Sequence, residues 1–486
     1  ARLALFRGGF TLEAAETAAE TSPYVLAGLV ENALIRLDEF ERYQIHELLR
    51  QFAYARLAAS PDCEAAAAAH AQYFFTLVIG RKDALCDSRQ RTALAAIQAE
   101  IDNVRAAWQW ALQQPDLPYV VAGADPLYDF FRYTCRYSEG KELFANSAAR
   151  LRSAPANSQF LTTPAVAEHL ATLAAVFAYH LGEHAAATLR FQAVLAAAAN
   201  GRAEEDVVIA HTFLGLIAGW QAHFHEAERQ LQASVALYER AGDLSNLAYV
   251  LYGLSDTCAH AGWFEKGVDC AQRCLALGMQ LGRDDLLGYA HAQLAFALKS
   301  LGYPKLALEH YRQGCSYSER SGDRMAYALN VGGVGIELCQ LGKKQWAQGF
   351  AALEQSLAIC EELGHSVHIA TRLYSLQQAY IEGKRFAEAI PYAEELMRVA
   401  AATDFPWMLT YCYLGMAESY LGLGDYTLCR QQLQLGLRIC DDTKWNHPIL
   451  SHLVTYYALL LEREAEQLDA AGGAASIAAG RKRTQV

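Results

Sequence analysis

The stretch GWFEKGVDCAQRCLALGMQLGRDDLLGYAHAQLAFALKSLG, residues 262–302, begins and ends on a glycine and carries another, Gly282, midway. Between these glycines the apolar residues recur at helical steps, so the stretch reads as two helices joined by a turn. The same frame recurs along the chain. A turn centre falls at Gly140, Gly182, Ala222, Gly262, Gly302, Gly342, Lys384 and Gly424, at spacings of 42, 40, 40, 40, 40, 42 and 40 residues. Five residues after each centre stands a small side chain: Ala145, Ala187, Ala227, Gly267, Ala307, Ala347, Ala389 and Cys429. Seven residues before it there is usually another (Ala175, Gly215, Ser255, Ala295, Gly335, Ala417), with Tyr133 and Gln377 as exceptions. Small residues facing each other across a turn let two helix backbones approach closely, which predicts stacked helical hairpins. Second turns are expected at Gly201, Gly242, Gly282, Gly322 and Gly364, at helix C-termini where a positive φ favours glycine. The expected fold is all-α, a right-handed superhelix of about eight tetratricopeptide-like repeats.

Working outward, 486 residues would ordinarily mean several domains, but a repeat array grows in one dimension and escapes that count. A content of 53% hydrophobic residues with only 11 prolines suits helices. The net charge of -12 repels a phosphate backbone and argues against direct nucleic-acid binding. The 12 cysteines are scattered, many in apolar helical runs, and read as reduced, buried small hydrophobes of a cytoplasmic protein. No run of 18 uninterrupted apolar residues and no signal peptide stands in the chain, so no membrane association is expected. The chain opens on Ala1 inside a helical pattern, and the expectation is that it continues a longer product.

Residues 1–60 differ from the repeats. Thr11 caps a short helix (TLEAAETAA), Ser22-Pro23 starts a second, and the alternation at Leu34–Asp38 and Tyr43–His46 predicts a small hairpin followed by a helix from Glu47. That order is a winged helix. The stretches RLALFRGGFTLEAA, LVENALIRL and YQIHELLRQFA (Tyr43–Ala53), with AHAQYFFTLV (Ala69–Val78) and EIDNVRAAWQWAL (Glu100–Leu112), resemble the winged-helix and linker segments of STAND-type signalling ATPases, bacterial relatives of NB-ARC regulators. The resemblance covers about the first quarter of the chain specifically and the rest only as a repeat class. The repeat frame gives 124–468 as repeats with a closing helix from Asn446, the Ala/Gly-rich 469–486 is expected as a disordered tail, and the resemblance fits residues 1–60 as a winged-helix domain and 61–123 as a helical linker. It also implies that His46, in Ile45-His46-Glu47, reaches the β-phosphate of ADP held by an upstream nucleotide-binding domain, although Glu47 stands where Asp is common. The parent protein would then be an ADP/ATP switch controlling transcription or another output, with self-association on activation.

Within the chain itself the sequence offers no catalysis. No phosphate loop of the form GxxxxGK[ST] occurs, so ATP hydrolysis and a resident cofactor are not expected, nor is any other enzymatic activity. Cys270 and Cys274 share a helix face without a second ligand pair and read as core, so no metal is expected. His223, His225, His365 and His368 are expected as exposed polar residues at turns and helix starts. In tetratricopeptide arrays the first helix of each hairpin lines the concave groove. Projecting its offsets gives His169, Tyr179, His180, Trp220, Tyr249, Tyr252, Asp256, His260, Tyr289, Phe296 and Lys299, and later Tyr374, Gln378, Tyr411 and Glu418. Aromatic rings beside a few polar groups suit a peptide, protein or small-molecule inducer. Leu173, Phe213, Gly253, Gln293 and Gly333 lack the Asn and Lys/Arg pattern of a carboxylate-clamp co-chaperone. The expected function is ligand sensing in the groove, relayed through the winged helix; the alternative is a free-standing tetratricopeptide interaction scaffold. A winged-helix DNA binder would use Arg36, Arg42, Arg50 and Arg56, but these are interspersed with Glu31, Asp38, Glu39, Glu41 and Glu47.

Overall fold

A computed structural model describes residues 1–114, 117–153, 163–198, 204–403, 406–442 and 448–483. Pro115, Gly201 and Asn446, expected at a joint, at a turn and at the closing helix, lie outside these. The first elements follow the local sequence signals. A 3₁₀ turn at Arg2–Leu5 leads into α1 (Leu12–Ala19), where the Thr11 hydroxyl accepts from the Ala14 N–H, and α2 (Pro23–Glu31), where the Ser22 hydroxyl accepts from Val25. Strands β1 (Ile35–Leu37) and β2 (Tyr43–Ile45) pair antiparallel with Leu37 opposite Tyr43, and Glu41 takes a positive φ of 58° in the turn between them. Helix α3 (Glu47–Ala58) completes the winged-helix arrangement.

Four helices follow: α4 (Cys63–Ile79), the short α5 (Lys82–Leu85), α6 (Gln90–Ala99) and α7 (Ile101–Ala111). The repeats begin with α8 (Pro118–Tyr133) and α9 (Tyr137–Arg152), then α10 (Thr163–His180), α11 (His184–Ala198), α12 (Glu204–Trp220) and α13 (Phe224–Ala241). They continue as α14 (Leu244–His260), α15 (Phe264–Leu281), α16 (Asp284–Ser300), α17 (Pro304–Ser321), α18 (Arg324–Gln340) and α19 (Trp346–Glu362). The array closes with α20 (Ser366–Glu382), α21 (Phe386–Thr403), α22 (Pro406–Leu423), α23 (Tyr426–Asp442) and α24 (Pro448–Arg483). By packing, the chain divides into two compact units, one of residues 1–178, 189–210 and 277–284, the other of 179–188, 211–276 and 285–486.

In the first unit, α7 ties down the start of the chain. The Asn103 side chain is fully buried; its Oδ1 accepts from the Arg7 N–H at 2.6 Å and its Nδ2 donates to Gly9 O at 2.9 Å and to Glu100 Oε2 at 2.8 Å. Glu100 in turn accepts two bonds from the Arg42 guanidinium of the hairpin, at 2.5 and 3.1 Å. Gly8 and Gly9, at φ 69° and 88°, give the backbone the bend that brings these groups to α7. His70, its ring tilted against those of Phe6 and Phe74, is kept neutral: burial pushes its pKa down to about 4.

In the second unit the predicted turns recur: Gly262, Gly302, Gly342 and Gly424 have positive φ, as do Ala222 (59°) and Lys384 (58°). The second turns Gly242, Gly322 and Gly364 do so too. The small-residue rule is visible at Ser255, whose Oγ donates to Gly267 O at 2.7 Å, drawing α14 onto α15. Ala295 and Ala307 share one apolar cluster, and Ala417 and Cys429 another. Two positions depart from the predicted frame. Gly140 lies inside α9 rather than at a turn; the left-handed residue is Cys135, φ 54°, and Gly140 instead leaves room for the Phe177 ring. At the 42-residue spacing a 3₁₀ turn, Lys343–Gln345, lengthens the connection, so the residue facing Gly335 is Gly349, not Ala347. Gln377, one of the two exceptions to the small-residue rule in the sequence, is fully buried and donates to Cys412 O at 3.4 Å; Gly415 supplies the space.

Candidate ligand groove

The first helices of successive hairpins set their inward residues side by side, because positions 40 apart in sequence repeat the same angular position on neighbouring helices. Ring contacts follow: Phe213 to Tyr249 (6.4 Å between centroids), Tyr249 to Tyr252 (6.1 Å) and Tyr252 to Tyr289 (5.0 Å) form one row. Trp220 to His260 (5.8 Å) and His260 to Phe296 (5.2 Å) form a second. All of these except Phe213 are half-buried, the exposure expected of a groove wall rather than of a core. Tyr179, one hairpin earlier, is buried and accepts a bond from the Trp220 indole N–H at 3.1 Å.

Polar groups punctuate the rows. Asp256 accepts from Gln293 Nε2 at 3.1 Å, and the Asp256 carbonyl lies 2.9 Å from His260 Nδ1. Tyr289 donates to Asp323 at 3.4 Å. Lys299 lies 3.6 Å from the almost fully buried Glu337. Burial lowers the Lys299 pKa and raises that of Glu337, so their attraction only partly offsets the cost of burying both charges. Burial likewise raises the Tyr252 pKa, and Asp256 adds to it, so the phenol stays protonated and able to donate.

The sequence-predicted residues Trp220, Tyr249, Tyr252, Asp256, His260, Tyr289, Phe296 and Lys299 thus fall in connected contacts within the second unit. His180 also belongs to that unit but is buried, its Nδ1 3.4 Å from His365 Nε2. His365 stacks on His368 at 4.3 Å, and Trp220 meets His368 edge-on at 6.3 Å. The expectation that His365 and His368 are exposed is therefore corrected: they are 5% and 9% exposed, and burial pushes His365 down to about 4 and His368 below its ordinary value. Contacts between residues 180 and 365 span several hairpins and carry no local sequence signal.

His169 is engaged elsewhere. In the first unit its Nδ1 lies 2.8 Å from Asp206 and its Nε2 3.3 Å from Asp125, which also takes Lys82 at 3.3 Å. Burial alone would lower its pKa, but the two carboxylates outweigh that and raise it to about 9. His46 sits at the start of α3, where its Nδ1 accepts from the Leu48 N–H at 3.3 Å. Around it the winged-helix segment leaves large apolar side chains in solvent: Tyr24 is 87% exposed, Phe40 76%, Leu48 70% and Phe52 60%. Among the described residues no cluster of three or more His, Cys, Asp or Glu is placed to hold a metal ion, and no helix is long and apolar enough to cross a membrane.

Comparison with known proteins places the fold. No family model matches the chain. A Rap protein solved in complex with competence and sporulation factor superposes with a TM-score of 0.53 at 14% identity, over 72% of this chain and 99% of that one. At that identity the likeness is one of fold, an all-helical repeat of the tetratricopeptide class. A STAND protein of Pyrococcus horikoshii with a tetratricopeptide repeat sensor aligns over 96% of this chain and 63% of its own, with a TM-score of 0.49 at 14% identity. By sequence, the chain is 27% identical over 207 residues to outer dynein arm-docking complex subunit 4 of Danio rerio, and 27% identical over 155 residues to a Mycobacterium bovis protein named as an HTH-type transcriptional regulator. These matches take in 40% and 29% of this chain and span 41% and 17% of those relatives.

Proposed function

We propose that this chain is the regulatory portion of a STAND-type signalling ATPase, with an inducer bound in the ring-lined groove of the repeats and its presence relayed through the winged-helix segment to an upstream nucleotide-binding domain. The observation that carries the reading is the role of the resembled residues: Glu100 and Asn103 of EIDNVRAAW fasten the winged-helix segment, and a half-buried aromatic and charged groove follows in the repeats. The exposed Tyr24, Phe40, Leu48 and Phe52 fit a surface that docks on another domain. The 27% identity to a protein named as a transcriptional regulator supports the same reading.

His46 fits a part in holding a nucleotide. With Nδ1 accepting from Leu48, the ring proton rests on Nε2, a donor for a phosphate oxygen at the positive end of α3. ADP or ATP would supply the switch. The chain has no phosphate loop, so the main contacts to the nucleotide would come from the upstream domain. An inducer then shifts the population only by its preference for the active arrangement, a few kcal/mol for a decisive change. The test is to purify the intact product and assay bound ADP and basal output. His46→Ala is expected to lose ADP and raise basal output; unchanged ADP retention with unchanged output removes the role. A second reading, a free-standing interaction scaffold, draws on the match to a dynein arm-docking subunit over 40% of the chain, and predicts no bound nucleotide at all.

A further inference from the structure

Four histidines meet where the turn between α10 and α11 touches the start of α20, 185 residues further along the chain. Residues 179–188 and α20 belong to the same compact unit. His180 Nδ1 lies 3.4 Å from His365 Nε2, His365 stacks on His368, and His184 stands edge-on to Tyr179, the neighbour of His180. None of the four is more than 9% exposed. His180 is not needed to build its own hairpin, since the same position in the next four holds Trp220, His260, Ser300 and Gln340. Trp220 adds to the contact: it meets His368 edge-on and packs on the apolar cluster that includes Val367 and Ala370 of α20.

Two ring nitrogens at this distance bond only while one carries a proton and the other a lone pair; two imidazolium rings would face each other N–H to N–H. Nothing around the contact offsets a positive charge. His365 caps the N-terminus of α20 and His368 lies in its first turn, where the helix dipole opposes a cation. The ionisable groups acting on His365 and His368 are His180, His184, Arg372 and, for His368, His365 itself, and none of these is a carboxylate. From α12 come the rings of Phe213 and Trp220, and α21 and α22 meet α20 through apolar residues such as Leu396 and Met408. The Tyr179 phenol is kept protonated by burial. The acidic side chains nearest along the chain, Glu183, Glu361 and Glu362, are exposed to solvent.

We infer that these four histidines form a proton-sensitive clasp: neutral rings hold the α10–α11 turn on α20, and mild acidification releases it, freeing Trp220 from His368 and loosening one end of the ring row Trp220–His260–Phe296. The clasp does not depend on what the groove binds. Its pH window follows from burial, which holds His365 at about 4 and His368 below its ordinary value. Released histidines take up protons below about 6.5, so the contact is at full strength above that pH and is lost as pH falls toward 4.

Amide hydrogen exchange of the full chain, expressed as protection factors to remove the pH dependence of intrinsic exchange, tests this. Between pH 7.5 and pH 5, wild type is expected to lose protection at least about tenfold over residues 180–187 and 365–372, while α23 stays within about twofold. The double variant His365→Phe, His368→Phe keeps rings that cannot take a proton and should show no such loss. His180→Arg places a fixed charge in the clasp and should be as loose at pH 7.5 as wild type is at pH 5; it decides the matter should the double variant fail to fold. An even loss over all repeats of wild type, no loss at all, a double variant that keeps the full loss, or a His180→Arg protein as protected at pH 7.5 as wild type each overturns the clasp.

Discussion

The winged-helix segment and the hairpin repeats solve the same problem, fixing helices against one another, with different contacts. Residues 1–60 bury Phe6, Phe10, Ala14 and Ala15 but few large side chains of α2 and α3, and add a polar knot: Asn103 bonded to the Arg7 and Gly9 backbone, Glu100 bonded to Arg42. The repeats depend on many equivalent close approaches, such as Ser255 on Gly267, none of which is unique. The α2–hairpin–α3 part, which exposes Tyr24, Phe40 and Phe52, therefore leans on this knot more than the repeats lean on any single close approach. The difference teaches where a single substitution has leverage.

The strongest way to test that difference is Asn103→Ala. It leaves the Arg7 N–H and the Gly9 carbonyl without their buried partner, and two such groups together cost about 4 kcal/mol. Amide exchange over residues 1–58 is expected to accelerate at least a hundredfold while exchange in α14–α19 stays within about twofold. Uniform acceleration in both regions would mean the two are not separately held.

Within the repeats, two glycines of the same pattern should respond with opposite sign. A Cβ on Gly335 would stand 2.8 Å from the Gly349 carbonyl and 3.0 Å from the Leu353 N, backbone atoms that cannot turn aside. Gly335→Ala is therefore expected to cost about 2 kcal/mol even after the gain in helix propensity. On Gly267 the nearest atom would be the Ser255 carbonyl at 3.4 Å, an ordinary contact, so Gly267→Ala should be neutral or stabilising by up to about 1 kcal/mol. Urea titrations of both variants decide it, and equal effects would show that the close approach at α18–α19 is not tighter than that at α14–α15.

How much of this was legible follows from range. The caps at Thr11 and Ser22, the turns at Gly262 and Gly302 and the ring rows of the groove depend on neighbours within a hairpin or at a fixed 40-residue step, and the sequence carries both signals. The shift from Ala347 to Gly349 was hidden because a 3₁₀ turn changes the offset without changing the motif. The burial of His365 and His368 against His180 and Trp220 was hidden because it depends on hairpins far apart in sequence.

A pH-dependent effect is expected at His169, a polar tie of the winged-helix kind placed inside a repeat helix. Asp206 and Asp125 hold it, Lys82 faces Asp125, and its pKa is raised to about 9. A group whose folded pKa is raised contributes its full stability below the unfolded value of about 6.5 and loses it as pH rises through the folded value. The stabilising contribution should therefore be complete at pH 6 and gone by pH 10. Because the Asp125 side chain is 40% exposed, solvent screening reduces the contribution to about 1–2 kcal/mol. His169→Gln should accordingly destabilise at pH 6 and have almost no effect at pH 10, read as the difference between variant and wild-type urea midpoints at each pH. A penalty that is the same at both values would show that His169 acts through packing, and the polar tie would then belong to the winged-helix segment alone.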